Sequence, residues 1–200
     1  MAYGKFKSVS EVARKFNIEV RDGAFVERKS FQISELSYAD IQDRLGARIN
    51  FINEFTICEA ILRPILEIVA AEYDRLDIWS HVPYNVDADN GLIGEPDYLI
   101  APWTKYGDME RPVLCIIEAK QEKFDEGWAQ ALAEMVASFS LGAEVCYSAV
   151  TTGKAWEFGK LEGGVFTRHP IQISATSDLQ QVFDILNWLF HQANIGYLQP

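Results

Sequence analysis

The chain has 200 residues, of which 48% are hydrophobic and 24% charged, a length and composition that fit one ordinary globular domain and exclude a disordered or fibrous one. Its formal net charge of −11 excludes broad, sequence-blind adhesion to DNA, because that affinity comes from many Lys and Arg side chains neutralising phosphates. Any contact with nucleic acid must be local, metal-assisted or helped by a partner. Charges break every apolar stretch well before the ~18–20 residues that cross a bilayer, and Met1 to Arg14 has no signal-like apolar core. The expected location is cytoplasmic, with no membrane partner.

In chain order, Ser8 and Glu11 have capping-box spacing, and Val9, Val12, Ala13 and Phe16 then recur at helical intervals. A short helix is expected over Val9 to Phe16, as scaffold rather than as half of a DNA-reading helix-turn-helix. From Asp40, a candidate N-cap, apolar residues recur through Leu45, Ile49, Ile52, Phe55, Ile61 and Leu66. They predict a long helical region to about Leu76, kinked or divided by Pro64. His81 to Val86 reads as a strand, and Asp89-Asn90-Gly91 as the turn of a hairpin into a second strand through Tyr98-Leu99-Ile100. Asp87, Asp89 and Asn90 do not make a calcium loop, because Gly91 comes one position early and Tyr98 stands where the bidentate Glu belongs.

Val113 to Ile117 is a continuous apolar run, the pattern of a strand buried on both faces. Asp125 can then cap a helix burying Trp128, Leu132, Met135, Val136 and Phe139 and stopping near Gly142. Strands follow at Val145 to Val150, Ala155 to Phe158 and Val165 to Thr167, separated by Gly-containing turns. A closing helix starts after Ser177 or Asp178 and ends by Gly196. The expected fold is α/β: a central mixed sheet flanked by helices, in one domain of residues 1–200. Its core occupies about 40–161, after an N-terminal extension (1–39) and before a C-terminal strand and helix (162–200).

The chemistry concentrates in Gly94-Glu95-Pro96-Asp97 and Ile116-Ile117-Glu118-Ala119-Lys120. Strand alternation puts Glu118 and Lys120 on one face, with Ala119 on the other. These charges end an apolar strand, where burial is costly without partners or a metal. If the two strands pair, the Asp97 carboxylate lies beside Glu118. Two close carboxylates invite a cation, and oxygen ligands suit Mg²⁺ or Mn²⁺, with the Ala119 backbone carbonyl as a further donor.

The pattern resembles the PD-(D/E)XK nuclease superfamily, with Pro96-Asp97 as the first half-motif and Glu118-Ala119-Lys120 as the second, over roughly Asn50 to Leu161. Within it the chain is most similar to the nuclease portion of type I restriction-enzyme motor subunits. That resemblance implies a restriction-endonuclease-like core, helix-strand-strand-strand-helix-strand, and metal-dependent hydrolysis of nucleic acid, DNA before RNA. It implies that Asp97 and Glu118 hold the metal, that Glu54 on the upstream helix completes its environment, and that Lys120 orients or helps deprotonate the attacking water. Glu59 is the alternative helix acid, turned well away from the Glu54 face. Gln130 matches a glutamine that supports the site, and Thr151 to Glu157 a later hairpin.

A catalytically inactive module binding nucleic acid or protein is the other reading, since a fold does not fix a function. A third is a structural acidic protein in which Glu118 and Lys120 are a plain ion pair. The acidic balance points to a protein partner supplying DNA affinity, and the resemblance to small nucleases also allows a homodimer. His81, His169 and His191 lack metal-ligand spacing, and Trp103, Tyr106 and Trp128 read as packing residues. Cys58, Cys115 and Cys146, few and far apart in apolar surroundings, read as buried free thiols.

Overall fold

The computed structural model describes residues 3–198. Ser8 caps α1 (Val9–Phe16) by accepting the Glu11 N–H, while the Glu11 carboxylate reaches back to the Lys7 N–H. A short edge strand, β1 (Glu19–Asp22), follows; all four of its residues are exposed, so no apolar alternation announced it.

The expected long helix is instead several pieces. α2 (Glu35–Gly46) starts five residues before Asp40, capped by Ser34, and Asp40 sits inside it paired with Arg44 at 2.7 Å. A 3₁₀ turn at Arg48–Phe51 leads to α3 (Glu54–Ile57), a π-helical turn (Cys58–Leu62) and α4 (Arg63–Ala70). Asn53 breaks the run by capping α3, its side chain accepting the Thr56 N–H. Ile49, Ile52 and Phe55, apparently periodic, are therefore left exposed at 69%, 61% and 65%. Pro64 stands at the start of α4 directly after the π turn, so the helix changes type where the proline was expected to kink or divide it.

Beyond α4 come β2 (Asp77–Ser80), β3 (Tyr98–Ala101), β4 (Cys115–Ala119), α5 (Phe124–Ser140), β5 (Val145–Thr151), β6 (Ala155–Glu162), β7 (Val165–Arg168), β8 (Ile173–Ser174) and α6 (Leu179–Gly196). The strand expected at His81 to Val86 lies earlier, at β2. His81, at φ 50°, turns the chain away from the sheet, and Pro83 cannot donate to a ladder. What was expected as a tight hairpin is a loop over residues 81–97 with one bridge, Asp87 to Leu92, around the Asp87 to Asn90 turn. α5 begins at Phe124 with no side-chain cap, so Asp125 lies in its first turn rather than before it.

The eight strands form one mixed sheet in the order β1-β7-β6-β5-β4-β3-β2, with β8 on β6. β4 and β5 run parallel across the α5 crossover, and β3 and β4 are antiparallel with Tyr98 opposite Ile117. The order from α3/α4 through β5 is the expected helix-strand-strand-strand-helix-strand. Helices cover both faces. α4 and α6 pack on the side of Cys115, Ile117, Tyr98 and Ile100, and α1 and α5 on the side of Ile116, Leu99 and Val150. Because β4 alternates between the two cores, all of its residues are buried, including Glu118. Among the described residues no helix is long and apolar enough to cross a membrane.

Candidate active site

Antiparallel pairing of β3 with β4 brings the two half-motifs together. The residue before Tyr98 faces the residue after Ile117, so Asp97 meets Glu118 across the ladder. The Asp97 N–H donates to Glu118 Oε1 at 3.1 Å, and the Ala119 N–H donates to Asp97 Oδ2 at 2.8 Å. The carboxylates are thus locked by backbone donors, which hold them more firmly than side-chain contacts would.

Lys120 leaves the strand on the Glu118 side, with its ammonium 3.6 Å from Glu118 Oε2 and 3.5 Å from Glu54 Oε2. It also donates to the Ala119 carbonyl at 2.8 Å, so that oxygen already has one partner. Glu54 is placed by the Asn53 capping box and by Gln121, whose side-chain amide donates to the Ile52 carbonyl at 2.9 Å. Glu59, the alternative acid, is exposed on the π turn. Of the two, Glu54 is the one that reaches Lys120. Gly127 allows the close approach of α5: a Cβ there would stand 2.7 Å from Lys120 Cγ and 2.6 Å from Val150 Cγ1.

Among the described residues Gln130 forms no hydrogen bond with Asp97, Glu118 or Lys120. It donates from Nε2 to Glu134 Oε1 at 3.2 Å, and Glu134 is the residue that sequence reasoning missed. Glu134 is fully buried on α5 and interacts with Glu118. The signal was present, because it is the one charge in Ala131-Leu132-Ala133-Glu134-Met135-Val136-Ala137. A carboxylate amid a buried helical run needs a reason to be there.

Burial, then the charges of Glu134 and Asp97, push the Glu118 carboxyl well above the usual carboxylate range, with Lys120 opposing. Burial likewise pushes Glu134 up to about 8, opposed by the hydrogen bond from Gln130. Burial would lower Lys120, but Glu118, Asp97 and Glu54 outweigh it and hold the ammonium above its ordinary value. The site is therefore a cationic Lys120 against an excess of buried carboxyl groups that resist full ionisation together. Glu118 Oε2 and Glu134 Oε2 are both buried without a hydrogen-bond partner. Oxygen donors and an orphaned buried carboxylate oxygen fit a hard divalent cation, which would neutralise charge that one ammonium leaves unbalanced.

Cys58, Cys115 and Cys146 are free and buried, as expected. Trp128 is buried, whereas Trp103 and Tyr106 are 53% and 82% exposed. His81, set aside on sequence spacing, lies against the site: its Nδ1 is 3.7 Å from Asp97 Oδ1. The β2–β3 pairing puts it there, and no local spacing could reveal that.

No protein-family model matches the chain, and no curated protein matches it significantly. Among solved structures, that of the type IIG restriction endonuclease BpuSI aligns with 74% of this chain and 17% of its own, at 18% identity and a TM-score of 0.43. The chain thus corresponds to a small part of that enzyme's length.

Proposed function

We propose that the protein is a metal-dependent nuclease that hydrolyses phosphodiester bonds in nucleic acid, with DNA as the preferred substrate, and that Asp97, Glu118, Lys120 and Glu54 carry the reaction. The observation that supports this most is the convergence of Asp97, Glu118 and Lys120 at the ends of β3 and β4, with Glu118 Oε2 buried and unpartnered. Two buried carboxyl groups beside one ammonium carry more acid than a plain ion pair balances.

Asp97, Glu118 and the Ala119 carbonyl would hold Mg²⁺ or Mn²⁺, which when bound supplies Lewis-acid charge stabilisation and a more acidic water. Glu54, at the half-exposed rim, fixes the Lys120 ammonium from outside while Glu118 fixes it from within. Held protonated by its neighbours in the metal-free protein, Lys120 would steady charge developing on the scissile phosphate and orient the attacking water. Glu134, held by a hydrogen bond from Gln130, lies beside Glu118 and favours its protonated form.

The test is to incubate the protein with single- and double-stranded DNA and with RNA, in Mg²⁺, Mn²⁺ or EDTA, beside Asp97→Ala and Lys120→Met. Metal-dependent cleavage absent from both variants supports the reading. Retention of labelled DNA with no cleavage in either metal would replace it with that of an inactive binding module.

A further inference from the structure

Cys58 Sγ, a ring nitrogen of His81 and a carboxylate oxygen of Asp97 all lie within 4.8 Å of one another. They come from three separate elements: the π turn, the residue after β2, and the residue before β3. Tetrahedral zinc bonds of ~2.0–2.3 Å separate ligand atoms by about 3.4–3.8 Å, so a small side-chain movement closes the set around one ion. The donors are one sulfur, one imidazole and one carboxylate. That combination suits a borderline ion such as Zn²⁺ or Co²⁺ and differs from the all-oxygen set of Asp97, Glu118 and the Ala119 carbonyl.

Other features point to the same place. Cys58 is 1% exposed and a free thiol. His81 Nε2 is buried without a partner, and so is the hydroxyl of Tyr98, the residue next to Asp97. The His81 backbone is held at φ 50° by the bond from its N–H to the Asp97 carbonyl, 3.1 Å, a conformation that side-chain-bearing residues rarely adopt. Cys58 opens the π turn, an insertion that commonly marks a functional position.

From this we infer that Cys58, His81 and Asp97 form a second metal site, for a thiophilic divalent cation of the zinc class. Asp97 is shared between the sites: Oδ1 faces His81, while Oδ2 accepts the Ala119 N–H on the Glu118 side. Binding replaces the Cys58 S–H proton by the metal and releases that proton to solvent, so no oxidant or reductant is involved. Three protein ligands leave a fourth position to water. The inference uses Asp97 but does not rest on the nuclease reading.

The test is a Co²⁺ titration of the reduced, metal-stripped full chain, followed by absorption for the sulfur-to-cobalt charge-transfer band and the intense visible bands of tetrahedral cobalt. One equivalent should bind with both signatures, and Zn²⁺ should displace it. Cys58→Ser and His81→Gln should each weaken binding by more than the ~10–100-fold typical of losing a supporting contact. Cys58 is buried, so circular dichroism checks that its variant folds, and the accessible His81 provides the independent arm. Glu118→Gln, which disables the oxygen-rich site alone, should keep the cobalt spectrum. Absence of the charge-transfer band in the wild-type protein, or its persistence in a folded Cys58→Ser or His81→Gln variant, would overturn the inference.

Discussion

At the scale of single residues, the fold buries more carboxyl groups than its one nearby ammonium can balance. Glu118 and Glu134 are completely buried, and the nearest cation, Lys120, approaches Glu118 at 3.6 Å without a hydrogen bond. The folded protein favours the neutral form of Glu134, whose pKa rises from 4.5 to about 8. Such a group contributes stability that is fully present below about 4.5 and is lost as pH climbs through about 8. The melting temperature of metal-free protein should therefore fall between pH 5 and pH 9, and Glu134→Gln, a permanently neutral mimic, should flatten that slope. Thermal denaturation across that range checks both. For Lys120, removal of a positioned cation from the reacting phosphate predicts a loss of about 10²–10³-fold in kcat in Lys120→Met, with KM changed far less. Steady-state cleavage rates measure it.

At the scale of elements, the site depends on how α3, β4 and α5 are held against one another. Asn53 caps the helix that presents Glu54, so Asn53→Ala should cost about 1 kcal/mol of stability and, by loosening Glu54, lower cleavage more than any distant cap would. Denaturant unfolding and activity on the same samples test it. Gly127 is the close contact between α5 and Lys120. Gly127→Ala should destabilise by ~1–3 kcal/mol and displace the lysine stem, lowering kcat in a protein that still folds.

These elements also show what could be read from sequence. α1 and α6 were legible because apolar periodicity and a capping side chain agreed, and β4, α5 and β5 because their apolar runs are long. The middle region was not. Ile49, Ile52 and Phe55 continue a helical period while Asn53 ends the helix, and a capping side chain outweighs periodicity that buries nothing. The β2 strand was misplaced because His81 and Pro83 look extended in sequence yet leave the sheet. Within the site, Asp97, Glu118 and Lys120 could be placed because strand alternation and one hairpin pairing suffice to join them. Glu134 and His81 could not, since they arrive through helix packing and a loop, where sequence distance says little about spatial distance.

At the scale of the whole molecule, a chain of net charge −11 presents a carboxylate-rich site at one end of a sheet covered by helices on both faces. Without a metal ion, the carboxyl groups there outnumber the one Lys120 ammonium and oppose phosphate. Affinity for DNA should therefore rise when a non-catalytic divalent ion such as Ca²⁺ is added, and fall again in Asp97→Ala. The central claim is that Asp97 and Glu118 form a site for a hard divalent cation. It is tested most directly by calorimetric titration of Mg²⁺ and Mn²⁺ into the wild-type protein and into folded Glu118→Gln. The account predicts one-site binding in the wild-type protein that disappears in the variant. No binding at millimolar metal, or equal binding by both proteins, would contradict it.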